Sequence, residues 1–161
     1  MKNLTFSLDS LRRKPVYLET THRSVGFVDD VIVDPMGGVL AVVSHDSHWG
    51  TWAFPFTYTR IADDGIAVVE QSRQSPRVFL REGRFYQELL GGKVLDADGA
   101  MIGRIKDIEL VDVVTGDIAY RISPSGFAGL WKPPFSVASI DVGDASHQGI
   151  ALRSAQREIA A

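Results

Sequence analysis

Short runs of apolar residues, rich in β-branched side chains, recur along the chain between glycine, aspartate and proline. Examples are residues 31–33, 39–43 and 66–69. Runs of this length and composition are typical of β-strands. In residues 101–111 the alternation of apolar and polar positions breaks down, which indicates a bulge or a bend where a sheet curls. The pattern therefore predicts an all-β fold built from small barrels.

Turn signals separate these runs, and helical signals are few. Glycine-containing turns are predicted at 36–38, 64–65, 98–99 and 115–117. Residues 84–90, which precede Gly91, predict one or two helical turns that glycine ends. The stretch 153–161 contains good helix formers but few apolar anchors, and predicts a short helical turn at most.

The chain repeats itself at a spacing of about eighty residues, which is the mark of a duplicated structural unit. Three segments recur in the same order: 25–31 as 102–108, 50–56 as 129–135, and 65–68 as 149–152. The polar stretch 70–77 predicts a boundary between domains 1–72 and 73–161. Units of about sixty residues are marginally stable alone, so we expect the copies to pack on each other or on a second chain.

Composition and charge narrow the possible functions. The chain has 161 residues, 45% of them apolar, and a net charge of −3, which argues against a dedicated nucleic-acid-binding domain. It contains no cysteine, so disulfides and thiolate chemistry are excluded. No run approaches the length that spans a bilayer, and residues 1–9 lack the apolar core of a signal peptide. We expect a cytoplasmic protein with no transmembrane segment.

A longer pattern lies in the second half. Residues 88–96, 98–107 and 133–135 contain Leu-Gly-x-x-Val, a turn, Ile-Gly-x-Ile-x-Asp and a late proline. From Tyr86 to about Asp141 the chain resembles the PRC-barrel domain. This β-barrel module is shared by the H subunit of photosynthetic reaction centres and the C-terminal part of a ribosome maturation factor. The first half resembles a second, divergent copy, and the resemblance is clearer in the second half.

The resemblance implies a structural motif and a class of function. The glycine, aspartate and proline positions that carry it are Gly26, Asp30, Pro55, Gly103, Asp107 and Pro134. Glycine allows a sharp bend or a close backbone approach, and aspartate can accept backbone hydrogen bonds at a strand crossing. The family implies a barrel used for docking to proteins, RNA or a larger assembly, with no common catalytic residues and no cofactor.

One loop has the composition of a metal site. His45, Asp46 and His48 combine two imidazoles with a carboxylate, which are standard zinc ligands. No third imidazole or thiol is adjacent in sequence, although His22 or His147 could approach in space. The incomplete ligand set favours a polar loop over a metal site.

Aromatic and basic residues supply the candidate binding surface. The interface candidates are Trp49, Trp52, Phe54, Phe56, Trp131 and Phe135. They predict either barrel cores and the seam between the barrels, which is the favoured interpretation, or a partly exposed docking patch. The arginines at positions 73, 77, 81 and 84 predict a solvated connector, with contact to RNA or an acidic partner as the alternative.

These observations favour a non-enzymatic interaction or assembly module, a bacterial adaptor with an unknown protein partner and a possible homodimer. The rival hypothesis is a metal or small-molecule site in the cleft between the barrels, held by His45, Asp46 and His48. A weaker hypothesis is a ribosome- or RNA-associated maturation factor, whose binding would weaken steeply with salt.

Overall fold

The computed structural model describes residues 5–126, 132–146 and 148–153. These residues form two curled sheets, each of seven strands. The first sheet consists of β2 (Pro15–Leu18), β3 (Ser24–Val33), β4 (Val39–Asp46), β5 (Gly50–Pro55), β6 (Thr59–Ala62), β7 (Gly65–Val68) and β8 (Arg84–Phe85). The second sheet consists of β1 (Phe6–Ser7), β9 (Lys93–Leu95), β10 (Met101–Leu110), β11 (Ile118–Pro124), β12 (Phe135–Ala138), β13 (Val142–Ser146) and β14 (Gly149–Leu152). The all-β fold with two small barrel-like units is confirmed.

Helical structure in the described residues is confined to short segments. The α-helix α1 spans Tyr86–Leu89, inside the stretch where helical turns are predicted. Single 3-10 turns occupy Leu8–Leu11, Phe56–Tyr58, Glu70–Ser72, Pro76–Val78 and Ser139–Asp141. The helical turn predicted for the tail falls almost entirely on 154–161, outside the described residues.

The two sheets have the same topology. The strand order is β5-β4-β3-β2-β7-β6 in the first sheet and β12-β11-β10-β9-β14-β13 in the second. In each sheet one pair is parallel, β2 with β7 and β9 with β14. A bulge interrupts β3 between Val28 and Asp30, and another interrupts β10 between Ile105 and Asp107. The two halves therefore share one curled topology.

Each copy is completed by a strand that precedes the other copy. Strand β1 pairs with β10 of the second sheet, where Phe6 lies opposite Leu110. Strand β8 pairs with β3 of the first sheet, where Phe85 lies opposite Ile32. Strand pairing thus crosses the predicted domain boundary in both directions, and the limits 1–72 and 73–161 stay a prediction.

The main core is shared by both halves. One cluster of buried side chains contains Val31 and Phe54 of the first sheet together with Ile108 of the second. Across the seam, the hydroxyl of the buried Tyr120 donates a hydrogen bond to the carbonyl of Pro35, at 2.6 Å. The expected packing of one copy on the other is present, and it removes apolar surface that a single copy of this size would leave exposed.

One of the three sequence matches is wrong in register. Trp52 of β5 lies opposite Ser44, and Phe135 of β12 lies opposite Ile122, which places Trp52 and Phe135 in equivalent positions. Residue 56 was matched with Phe135, but Phe56 begins the 3-10 turn after β5. The register of a strand is set by which of its faces is buried and by its partner strands, not by residue identity in the adjoining loop.

The correction extends to the two prolines of the proposed motif. Pro55 is the last residue of β5, whereas Pro134 precedes β12 and belongs to no strand. The two prolines are therefore not structural equivalents. Trp131, the tryptophan that was matched with Trp52, lies outside the described residues.

Candidate functional site

The aspartate of the second copy joins three segments of the chain. Oδ1 of Asp107 accepts hydrogen bonds from the Ser7 hydroxyl at 2.9 Å, the Tyr86 hydroxyl at 2.7 Å and the Ile108 amide at 2.8 Å. Ser7 lies in β1 and Tyr86 begins α1, so this carboxylate fixes both connecting segments against β10. Burial, and then the Asp107 carboxylate, raise the pKa of Tyr86, which keeps its hydroxyl a donor.

The aspartate of the first copy has the corresponding role. Oδ1 of Asp30 accepts a hydrogen bond from the Val31 amide at 2.8 Å, and the backbone of Gln87 is a second donor. Gln87 lies in α1, so the first copy also uses its aspartate to hold the connecting segment. Burial raises the pKa of Asp30 despite these hydrogen bonds, because desolvation disfavours the charged carboxylate.

The motif glycines are required for steric reasons. A Cβ on Gly26 would lie 2.1 Å from the carbonyl oxygen of His45, and a Cβ on Gly103 would lie 2.3 Å from that of Ser123. Glycine therefore allows β3 to lie tightly against β4, and β10 against β11, just before each bulge. Gly26 and Gly103 therefore have a role in strand packing, and Asp30 and Asp107 have a role in hydrogen bonding.

The raised pKa of Asp30 gives a pH-dependent prediction. A carboxyl group whose pKa is higher in the folded chain binds its proton more tightly when folded. Its contribution to stability is full below the unfolded pKa of about 3.9 and is lost as pH rises through the folded pKa. We therefore expect the free energy of unfolding of the native chain, relative to Asp30→Asn, to fall as pH rises. Urea unfolding of both proteins at several pH values measures it, and a difference that grows with pH would contradict it.

The histidine loop is organised by its own backbone. Oδ1 of Asp46 accepts hydrogen bonds from the amides of His48 at 2.6 Å and Trp49 at 3.0 Å. These bonds, that of Trp49 first, hold the pKa of Asp46 below its usual value. Nδ1 of His45 lies 2.8 Å from the Thr51 hydroxyl. In the described part of the chain, no three His, Asp or Glu side chains are grouped as metal ligands, so the arrangement gives the metal hypothesis no support. His147 lies outside the described residues.

The aromatic candidates divide into core and surface positions. Phe54 and Phe56 are buried in the shared core, so these two residues are not available to a partner. Trp49, Trp52 and Phe135 are partly buried and pack against the same core. The favoured interpretation, that these side chains form the core, fits Phe54 and Phe56, and the docking interpretation is wrong for these two residues.

A cluster of arginine and tryptophan covers the hairpin of β4 and β5. The guanidinium of Arg73 lies 4.7 Å from the ring centroid of Trp52 and 5.0 Å from that of Trp49. Arg23 lies 5.8 Å from the Trp49 ring, and the Trp52 indole N–H donates to the carbonyl of Trp49. Cation–π contacts of this kind fix the cation over the ring. Arg73 is therefore an exposed residue that also contacts two tryptophan rings.

A surface feature that sequence reasoning missed lies where two hairpin turns meet. The amide of Val39, at the end of the turn between β3 and β4, donates to the carbonyl of Gly116 in the turn between β10 and β11, at 2.9 Å. Three apolar side chains are exposed on these turns, and we call them the turn patch: Met36 at 39%, Val113 at 49% and Val114 at 83%. Two adjacent valines directly before the turn predicted at 115–117 were the available signal.

Comparison with known proteins identifies the first copy. Residues 4–73 match the sequence model of the PRC-barrel domain. The chain contains a PRC-barrel domain. The match falls on the first half, where the resemblance in sequence is less clear, and membership of the second copy stays a prediction. No curated protein matches the chain.

Two surface clefts lie in the second copy, and the histidine loop lines neither of them. An open cleft of about 250 Å³ lies between α1 and the start of β14 and is lined by Arg84, Glu88, Leu89, Gly92, Ser146 and Gly149. A second, of about 100 Å³, lies along the parallel strands β9 and β14. None of the helices in the described residues has the length and apolarity to cross a bilayer.

Proposed function

We propose that this chain is a non-enzymatic protein-interaction module built from two PRC-barrel domains that share one core. The matched PRC-barrel domain supports the class of module, and the turn patch is the observation that carries the proposal. Exposed apolar side chains that are grouped and held in place are characteristic of protein-binding surfaces.

The turns that present the patch are held by side-chain hydrogen bonds. Oδ1 of Asp112 accepts from the amides of Val114 at 2.8 Å and Thr115 at 3.3 Å, and these bonds, that of Val114 first, lower the pKa of Asp112. In the first copy, Oδ1 of Asp34 accepts from the amide of Met36 at 3.0 Å. The loops are therefore ordered before binding, which lowers the entropic cost of association.

The partner proposed for this surface is a protein with a complementary apolar patch. The valine side chains carry no charge, so recognition would depend on burial of apolar surface rather than on phosphate contacts. This favours a protein over RNA as the partner. The adaptor role is proposed on the same ground, since the side chains of the turn patch are apolar.

The test compares two variants of the full chain. Substituting Val113 and Val114 with aspartate should weaken partner capture by about thirtyfold, since two interface residues together contribute about 2 kcal/mol. The matched control is Val78→Asp, which changes a valine of similar exposure, 53%, outside the patch. Quantitative crosslinking from extract of the source cells measures capture. Equal capture by both variants, or substrate turnover by the purified chain, would contradict the proposal.

The same variants separate a second copy from a different partner. Val113 and Val114 would lie at a dimer interface if the chain pairs with itself. Sedimentation of the purified chain over a range of concentrations then shows a dimer that the double substitution abolishes.

A further inference from the structure

The two turns that carry the turn patch have charges of one sign only. The turn at 34–38 contains Asp34, and the turn at 111–117 contains Asp112 and Asp117. Neither turn contains a lysine, an arginine or a histidine. Among the described residues, no basic side chain forms an ion pair with any of these three carboxylates. The joined turns therefore carry three negative charges and no positive charge beside the exposed apolar side chains.

The two turns are fixed against each other, so their charges and their apolar side chains belong to one surface. Gly38 and Asp117 form an antiparallel bridge, and a Cβ on Gly38 would lie 2.4 Å from the carbonyl oxygen of Gly116. The hydroxyl of Tyr120 in β11 holds the first turn from below, through the carbonyl of Pro35. The positions of the carboxylates relative to the turn patch are therefore set by backbone contacts.

Two of the carboxylates are held directly beside apolar residues of the patch. Asp112 accepts hydrogen bonds from the amides of Val114 and Thr115, and Asp34 accepts one from the amide of Met36. Hydrogen bonds from amides favour the charged form of a carboxyl group, and they hold the pKa of Asp112 below its usual value. The Asp112 carboxylate is therefore a permanent negative charge at the border of the patch.

This charge arrangement opposes a second copy of the chain as the occupant of the patch. In a symmetric dimer both subunits use the same surface, so the two sets of turns would face each other. Carboxylates from both copies would meet at the border of the contact, and neither pair of turns supplies a basic side chain between them. Like charges brought together at an interface reduce affinity, which favours a different protein as the partner.

We infer that the partner of the turn patch is a different protein whose contact surface has an apolar centre bordered by lysine or arginine. This inference rests on the proposed function, because it names the chemistry of the partner that the patch binds. Val113 and Val114 contact the apolar centre, and the carboxylates of Asp112 and the exposed Asp117 pair with the basic side chains around it. Complementary charges of this kind select the partner and speed its association.

A defined probe tests this chemistry. It is a short amphipathic helical peptide of leucine and lysine, compared with the matching peptide of leucine and glutamate. NMR titration of the full chain measures both the affinity and the place of contact. The lysine peptide should shift the amide signals of Met36, Val113 and Val114, and the glutamate peptide should not. Added salt should weaken the binding, because exposed charges are screened.

Neutral substitutions test the part played by the carboxylates. Asp112→Asn together with Asp117→Asn removes two charges and keeps an oxygen at position 112 that accepts the amide hydrogen bonds. The affinity for the lysine peptide should fall by about fivefold, which corresponds to about 1 kcal/mol for two exposed charge pairs.

The matched control removes two charges from another turn. Asp96→Asn together with Asp98→Asn changes the turn before β10, at the opposite end of that strand from the patch. Asp96 also accepts amide hydrogen bonds within its own turn, from Asp98 and Ala100. This control should bind the lysine peptide as tightly as the native chain does.

A third variant separates this inference from the proposed function. Val113→Ser together with Val114→Ser removes the apolar side chains without adding charge, and it should abolish the signal shifts at the patch. If the serine variant loses binding while the asparagine variant binds as tightly as the native chain, the inference fails and the apolar docking surface stands. If the serine variant binds as the native chain does, the proposed function fails with it.

Three other results would overturn the inference alone. The glutamate peptide binds the patch as tightly as the lysine peptide, or the lysine peptide shifts signals only outside the two turns. In the third, sedimentation of the purified chain shows a dimer that the serine substitutions abolish, which would assign the patch to a second copy.

Discussion

Replacing Asp107 with alanine is expected to lower the free energy of unfolding by about 2–4 kcal/mol, since a buried polar group left without a partner costs about 1–3 kcal/mol. The substitution removes the acceptor of three hydrogen bonds, from Ser7, Tyr86 and Ile108. The Tyr86 side chain is almost wholly buried, so its hydroxyl has poor access to water as a replacement partner. Chemical denaturation monitored by circular dichroism and tryptophan fluorescence measures the loss.

The same experiment tests whether the two copies unfold together. Asp107 binds Ser7 of β1 and Tyr86 of α1, the segments that connect each copy to the other, and the main core is shared. We therefore expect one transition, coincident in both signals, in the native chain and in Asp107→Ala. Two separated transitions would show that the copies are independent.

Two conservative substitutions separate the contributions. Asp107→Asn keeps Oδ1 as an acceptor and should cost less than Asp107→Ala. Tyr86→Phe removes one donor and leaves the hydrogen bonds of Ser7 and Ile108 in place, so its cost should be about 1 kcal/mol. A loss for Asp107→Asn as large as for Asp107→Ala would mean that charge, rather than the hydrogen-bond acceptor, holds the three segments together.

Much of the fold was predictable because its signals are local. Strands β3, β4 and β7 carry β-branched runs, and the bulges in β3 and β10 fall beside the glycine and aspartate of the repeated motif. The repeated motif was evident because these positions need specific residues: Gly26 and Gly103 for space, and Asp30 and Asp107 for hydrogen bonding. Where a backbone arrangement permits few residue types, that arrangement can be predicted from the residues at those positions.

The exchange of strands between the copies was not predictable. Strands β1 and β8 have two residues each, which is too short for an alternating pattern to appear. Their partners lie about a hundred residues later and about fifty residues earlier, and no local preference specifies pairing at that distance. The repeated motif predicts two similar units. It does not predict that β1, before the first unit, pairs with the second unit, or that β8, before the second unit, pairs with the first.

The candidate site was predicted less well than the fold, because residue type does not specify side-chain environment. Phe54 and Trp52 are two residues apart in β5, yet Phe54 is buried and Trp52 meets the guanidinium of Arg73. The sequence made the Asp46 carboxylate a candidate metal ligand, but it accepts hydrogen bonds from the amides of its own turn, as the Asp112 carboxylate does in its turn. Such local hydrogen bonding favours a turn over a metal site.

Gly149→Ala is expected to have the largest effect of a single methyl group in this chain. Gly149 has φ near +150° and begins β14, opposite Lys93 of the parallel strand β9. A Cβ there would lie 1.9 Å from the carbonyl oxygen of Lys93 and 2.5 Å from its amide nitrogen. Backbone strain and a clash with main-chain atoms act together, and we expect a loss of about 4 kcal/mol or more. The midpoint of thermal unfolding should fall by about 10 °C or more for a chain of this size.

The control for Gly149 is a glycine that also has a positive φ but has free space around it. Gly99 has φ near +85°, and a Cβ there would meet no atom within 4 Å. Gly99→Ala should therefore show the conformational cost alone, about 1–2 kcal/mol. The difference between the two substitutions reports the contact between β14 and β9 together with the greater backbone strain at Gly149. Equal losses for both would mean that β9 moves away from Gly149 at little cost. The parallel pair of β9 and β14 would then not be rigid. The equivalent glycine of the first copy, Gly65, has φ near +149°, which indicates the same rigid arrangement there.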